Sequence, residues 1–109
     1  MPTTYKVLGQ SNPSATTATT LYTVPASTDA VVSTISVCNR AATSGTYRIA
    51  IRPAGATLAN SHYIAYDSAI TANNTTFITV GVTLDTTDVI TVYASSADMT
   101  FSAFGTEIS

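Results

Sequence analysis

The apolar residues along the chain recur with the spacing of strands rather than of helices. No window repeats apolar residues with the helical period of about 3.6, and β-branched residues dominate throughout. Turn residues interrupt these runs about every 8 to 12 residues. The predicted strands are residues 4–10, 21–24, 30–40, 47–52, 62–67, 75–84, 89–94 and 99–105. About eight short strands of this kind predict an all-β fold, an antiparallel β-sandwich or jelly-roll-like domain.

The longest β-type run, residues 30–40, is the expected centre of the fold. Strict alternation puts one set of side chains on one face, namely Val31, Ser33, Ile35 and Val37. The opposite face receives Val32, Thr34, Ser36 and Cys38. Both faces are apolar or small, which indicates a strand covered on both sides or placed in mid-sheet. We expect it to pair with residues 47–52 as a hairpin at the centre of one sheet.

Four side chains are candidates for a subunit or partner interface. Arg48 and Arg52 project from the same, wet face of the strand 47–52, and Arg is enriched at interfaces. Tyr63 and Tyr66 lie in the aromatic strand 62–67. The alternative for the arginines is solvation or local pairing. For the tyrosines it is packing at strand edges, or a sugar-binding surface.

The polar segment 11–20 has one Pro and no large apolar residue. It is predicted to be a surface loop, with an arm extended onto a neighbouring subunit as the alternative. Residues 1–109 have no composition boundary and are expected to form one domain.

Charge is scarce in this chain. Charged residues make up 9% of it, with a net charge of −2, whereas about 25% is usual. Such a surface does little to keep copies apart, which hints that neighbouring subunits cover it. The four basic residues form no run, which disfavours nucleic acid as a partner. No apolar stretch approaches about 18 residues and no signal-peptide pattern begins the chain, so we expect no membrane partner and synthesis in the cytoplasm.

No constellation of catalytic or metal-binding residues is evident. The chain has one histidine, His62, and one cysteine, Cys38, whereas a nucleophilic triad or a zinc site needs more partners. Cys38 is expected to be a buried, inert thiol. Asp85 and Asp88 flank a turn and are more simply turn residues than calcium ligands. We therefore expect no enzyme activity, no catalytic or metal site and no cofactor.

Several phrases of the sequence resemble one family over almost the whole chain. They are TYKVLGQ, LYTVPA, VVSTISVCNR, YRIAIRPAGA, HYIAYD, VGVTLDTTDVITVYAS and FSAFGTEIS. These phrases are similar to small virion structural proteins of tailed phages that infect cyanobacteria and marine bacteria. The resemblance implies a non-enzymatic component of the virion, made in the host cytoplasm, that binds major capsid or tail proteins. It brings no catalytic residues to this chain.

The resemblance leaves the position in the particle open. A decoration or cement protein at the particle surface is the first expectation, and a tail-fibre or baseplate module for host attachment is the second. A carbohydrate-binding module is the alternative from another class. By analogy with capsid cement proteins and fibre modules, we expect a homo-oligomer and favour a trimer.

The substitution Ile35→Asp is expected to abolish soluble folding, because it buries a carboxylate without a partner at the centre of the fold. The loss should exceed about 4 kcal/mol. Thermal melting measured by circular dichroism would check it, and a transition like that of the wild type would contradict the placement of Ile35 in the core.

Overall fold

Eight strands and two short 3-10 turns make up the computed structural model, which describes residues 2–109. Met1, the first residue of the predicted domain, lies outside them. The strands are β1 (Thr3–Ser11), β2 (Thr19–Thr23), β3 (Asp29–Asn39), β4 (Gly45–Arg52), β5 (Tyr63–Ile70), β6 (Thr75–Leu84), β7 (Val89–Ala94) and β8 (Met99–Ile108). All eight predicted strands are confirmed. Neither 3-10 turn, Pro53–Gly55 or Asn60–His62, is long and apolar enough to span a membrane.

The strands form two antiparallel sheets of four that pack face to face as a small β-sandwich. The first sheet has the order β1-β8-β3-β6 and the second has the order β2-β7-β4-β5. Each strand of the first half of the chain pairs with its counterpart in the second half: β1 with β8, β2 with β7, β3 with β6 and β4 with β5. This is the arrangement of a jelly roll, in which one long double strand wraps over itself.

The predicted hairpin between residues 30–40 and 47–52 is wrong. The first of these runs is β3 of the first sheet and the second is β4 of the other sheet. After Asn39 the chain crosses the sandwich instead of turning back along its own sheet. The neighbours of β3 are β6 and β8, so it does lie in mid-sheet. A short connection between two strands is compatible with both geometries, and the buried contacts decide between them.

A bulge at Ser33 changes which residues of β3 face the core. Ser33 has no partner between Val32 and Thr34, in the pairing with β8 or with β6. The extra residue shifts the alternation by one, as bulges do. Val32 therefore joins Ile35 on the core side, and Val31 faces outward, so the predicted alternation is wrong before Thr34 and right beyond it.

Gly81 interrupts β6 as a bulge. Val82 pairs with Val32 and Thr79 with Thr34, so β6 has two residues where β3 has one. Gly81 has a φ of +57°, a conformation that costs little without a Cβ atom. Gly9 adjoins the unpaired Leu8 in β1. A Cβ on Gly9 would lie 2.2 Å from the carbonyl oxygen of Leu21, so the first two strands approach closely there.

The core lies between the inward faces of the two sheets. Phe101 of β8 meets Tyr47 of β4 edge to face across the sandwich, with ring centroids 6.3 Å apart. The largest fully buried side chains are Phe101, Ile35, Ile49, Ile90, Met99, Val24, Val32, Val37, Val92 and Asn39. The predicted core position of Ile35 is confirmed.

Residues 12–18 connect β1 to β2 and lie on their own domain. Asn12 donates hydrogen bonds from Nδ2 to the carbonyl oxygens of Ala97 and Met99, at 2.9 and 2.8 Å. The Thr16 N–H donates to the Ala94 carbonyl oxygen. Pro13 is buried between these anchors. The segment is a surface loop tethered to the strand β7 and the turn that follows it.

Asn39 is the one fully buried polar side chain among the largest core residues. Its Nδ2 lies 3.0, 3.4 and 3.2 Å from the carbonyl oxygens of Thr43, Ile70 and Thr71. Its Oδ1 accepts the N–H of Ala41 at 3.0 Å. The amide thus satisfies backbone groups at two crossings between the sheets, after β3 and after β5. Such groups would otherwise be buried without partners, which is costly.

The substitution Asn39→Ala should therefore destabilise the fold by about 2–3 kcal/mol, because several backbone groups lose their partner at once. Urea unfolding followed by circular dichroism would measure the change. The exposed Asn60→Ala is the matched control and should stay within about 0.5 kcal/mol of the wild type. Equal stability of both variants would show that the crossings do not depend on this amide.

Candidate functional site

The outward side of the first sheet carries no charged residue along its middle. The strand registers place on this side Tyr5, Val7, Gln10, Val31, Thr34, Ser36, Cys38, Thr75, Phe77, Thr79, Thr83, Thr100, Ser102, Phe104 and Thr106. We call these residues the uncharged face. Most of them carry a hydroxyl or a methyl group, so the face can exclude water without leaving buried charges.

Three large apolar side chains of the uncharged face are exposed. Tyr5 is 82% exposed, Phe77 68% and Val7 48%. Tyr5 and Val7 lie on the edge strand β1, and Phe77 lies on the opposite edge strand β6. Three of the five exposed large apolar residues in residues 2–109 therefore share this side of the sandwich, and such shared exposure is typical of interaction surfaces.

Charged residues stand at the two ends of the uncharged face, Arg40 beside Asp98 at one end and Asp29 beside Asp85 at the other. Arg40, two residues beyond Cys38 on the line of β3, is exposed and donates to the Oδ1 of Asn12 at 3.1 Å. Asp29 begins the same strand at the other end, beside Asp85. Its pKa is raised by hydrogen bonding with Asp85, by some desolvation and by repulsion between the two carboxylates. Neither aspartate has a basic partner within residues 2–109.

The second sheet has a different outward side, built around Arg48. Its guanidinium lies between the rings of Tyr66 and Tyr93, 4.2 Å from each centroid. The guanidinium also donates from Nε and Nη2 to the two carboxylate oxygens of Asp67, at 2.7 and 3.3 Å. The hydrogen bond to Asp67 is the main cause that raises the pKa of Arg48. Stacking and bidentate pairing together fix this side chain.

Tyr63 adds to this arrangement. We call the five residues together the tyrosine cluster: Arg48, Tyr63, Tyr66, Asp67 and Tyr93. The rings of Tyr63 and Tyr66 meet edge to face, with centroids 4.9 Å apart. With Asn60 they line an open depression of about 510 Å³. Two register shifts in β5 and a φ of +49° at Asp67 turn these side chains outward. Bulges are a common means of aiming side chains near binding sites.

Arg52 does not join the tyrosine cluster, although it projects from the same side of β4. Its guanidinium donates to the carbonyl oxygens of Gly55 and Ala56, at 3.1 and 2.8 Å, and to the Thr91 hydroxyl at 3.3 Å. It therefore holds the loop after β4. Of the four candidate interface residues, the structure brings together Arg48, Tyr63 and Tyr66. Sequence reasoning missed Tyr93 and Asp67, because their proximity depends on which strands pair with β4.

The remaining candidates for chemistry occupy structural positions. His62 lies in the 3-10 turn before β5, not in a strand, and its Nδ1 accepts the N–H of Ala59 at 3.1 Å. Cys38 is free and half-buried on the uncharged face, so the expectation of a buried thiol is wrong. Asp88 accepts the N–H groups of Ala54 and Asp85 in its turn. No group of three or more His, Cys, Asp or Glu side chains that could hold a metal ion occurs in residues 2–109.

One polar cluster joins the two sheets, with Glu107 of β8 at its centre. Its carboxylate accepts the Tyr22 hydroxyl of β2 at 2.5 Å and the Lys6 ammonium of β1 at 3.0 Å. The hydrogen bond from Tyr22 is the main cause that lowers the pKa of Glu107, and the contact with Lys6 adds to it. Burial, followed by the carboxylate, raises the pKa of Tyr22. Both pKa shifts make proton transfer at neutral pH harder, so we interpret the cluster as a structural contact between the sheets. We call Lys6, Tyr22 and Glu107 the clasp.

The chain matches no protein-family profile, no curated protein and no solved structure.

The clasp at Glu107 predicts a dependence of stability on pH. Because its folded pKa is lowered, the stabilisation is fully present above the ordinary value of 4.5 and is lost as the pH falls through the folded pKa. Glu107→Gln should lose about 1 kcal/mol at pH 7, and the gap to the wild type should close as the pH falls below about 4. Melting curves across this range would measure it. The control is Asp98→Asn, an exposed residue outside the ion pairs found in residues 2–109; a constant gap for Glu107→Gln would contradict the prediction.

Proposed function

We propose that the protein is a non-enzymatic structural component of a tailed-phage virion. In this proposal it acts as a decoration or cement protein that binds capsid or tail proteins at the particle surface. It works as a homo-oligomer, without a cofactor, and neither nucleic acid nor a membrane is a partner. The analogy with capsid cement proteins and fibre modules favours a trimer, whereas the uncharged face favours a two-fold contact.

The observation that carries the proposal is the uncharged face. A wide outward sheet surface with exposed Tyr5, Val7 and Phe77 gives a neighbouring protein apolar area to cover. Its hydroxyl groups keep the face compatible with water until the partner arrives. The resemblance of the sequence phrases to virion structural proteins supplies the biological context. The jelly-roll order is also compatible, since viral capsid proteins use it, but lectins and cupins use it too.

A tail-fibre or baseplate module for host attachment is the alternative within the virion. It would use the same fold with fewer copies and would expose a receptor-binding surface. A carbohydrate-binding module is the alternative outside it, and the depression between Asn60, Tyr63 and Tyr66 favours this one. A sugar ring could lie on a tyrosine ring there and take a hydrogen bond from the amide of Asn60.

Quantitative mass spectrometry of purified particles, with a cryo-electron microscopy map of the same particles, tests the proposal. Hundreds of copies on the capsid or tail are expected for a decoration protein, whereas a few dozen or fewer at the tail tip would favour the attachment module. Absence of the chain from particles would overturn the proposal. Binding of the isolated protein to a glycan array, if lost in Tyr66→Ala and retained in Tyr5→Ala, would instead favour the carbohydrate-binding module.

A further inference from the structure

We propose that the uncharged face is the site at which two copies of this chain bind each other, through a two-fold contact that lays β3 antiparallel over β3 of the partner. The proposed function requires that copies of the chain associate. The proposed contact specifies the surface and the symmetry of that association. It rests on the proposed function only in requiring that copies associate.

The distribution of charge selects a second copy as the occupant. A partner with a charged docking surface would bury its charges against hydroxyl and methyl groups, which is unfavourable. Another copy of the uncharged face brings no charge to the middle of the contact. It brings charges only at the ends, where Arg40 and the neighbouring Asp98 lie at one edge of the contact, the pair of Asp29 and Asp85 lies at the other, and all can reach solvent.

The signs of these end charges select the orientation. A rotation of 180° about an axis in the interface, perpendicular to the strands, places Arg40 of each copy over Asp29 of the partner subunit. Asp29 then gains the basic partner that it lacks within its own chain, and the repulsion from Asp85 is offset. An axis parallel to the strands would instead place the two pairs of Asp29 and Asp85 over each other, which is destabilising, and would leave them without a basic partner.

The size of the face fits a reversible dimer. Four strands spaced about 4.8 Å apart, with ten residues at about 3.3 Å each, cover about 600 Å². Two such faces bury about 1,200 Å² together, the lower limit of the standard interface size. The small side chains Thr34 and Ser36 on β3 let the middle of the sheets approach, while Tyr5 and Phe77 fill the space at the edge strands. A self-complementary contact of this kind closes as a dimer, not as a trimer.

Sedimentation equilibrium of the full chain tests the contact. The wild type should form dimers within the range of about 1–200 µM that suits an interface of this size. Thr34→Glu should weaken the dimer at least ten-fold, because the two new carboxylates meet near the two-fold axis. Thr20→Glu makes the same change at an exposed position on the second sheet and should leave the dimer unchanged. A wild type that stays monomeric or forms a trimer, or an unchanged dimer in folded Thr34→Glu, would overturn the proposal.

A charge exchange tests the orientation and remains decisive if Thr34→Glu does not fold. Arg40→Asp and Asp29→Lys should each weaken the dimer, and the double variant should recover most of the lost affinity. No recovery in a folded double variant would refute the antiparallel arrangement.

These measurements need only the purified chain, so a dimer that is absent from particles would contradict the proposed function alone. A monomer that is abundant in particles would contradict this inference and the proposed homo-oligomer, but not the proposed role in the virion.

Discussion

The fold depends on burying the inward faces of both sheets while the backbone crosses repeatedly between them. Six of the seven connections between strands pass from one sheet to the other, and only β4 and β5 follow each other within a sheet. Each crossing leaves backbone N–H and C=O groups near an apolar core. Asn39 satisfies four of these groups with one side chain, and no buried side-chain polar atom in residues 2–109 lacks a partner. The same arrangement therefore buries the apolar faces of the sheets and gives the buried polar groups hydrogen-bond partners.

This arrangement leaves two outward surfaces with different chemistry. The uncharged face of the first sheet offers hydroxyl and apolar groups over a wide area. The second sheet concentrates its polar chemistry in the tyrosine cluster, where Arg48 is held by two rings and a carboxylate. A guanidinium fixed in this way costs little further entropy when a partner binds. The two surfaces face opposite directions, so a neighbour on one leaves the other open.

The few charged side chains make mostly identifiable contacts. Lys6 and Glu107 join the first sheet to the second through Tyr22, and Arg48 pairs with Asp67. Arg52 holds the loop after β4 through carbonyl oxygens. Among the other charged residues, Arg40 and Asp98 lie at one end of the uncharged face and Asp29 with Asp85 at the other. Unpaired charge at the rim of an uncharged surface sets the register of a contact more than its strength.

The amino-acid pattern by itself determined the strands, because β-branched alternation and turn residues are local signals. All eight strands, the all-β class and the core position of Ile35 could be predicted in this way. The pairing of strands could not, since a short connection after Asn39 permits either a hairpin or a crossing, and the buried area decides.

The tertiary structure alone decided three further features. The bulge at Ser33 exchanges the faces of Val31 and Val32, and nothing in the local sequence marks it. Tyr93 and Asp67 reach Arg48 only because β4 lies between β5 and β7. The uncharged face exists because strands distant in the chain lie side by side. Composition shows that charge is scarce, whereas only the sheet order shows where it is absent.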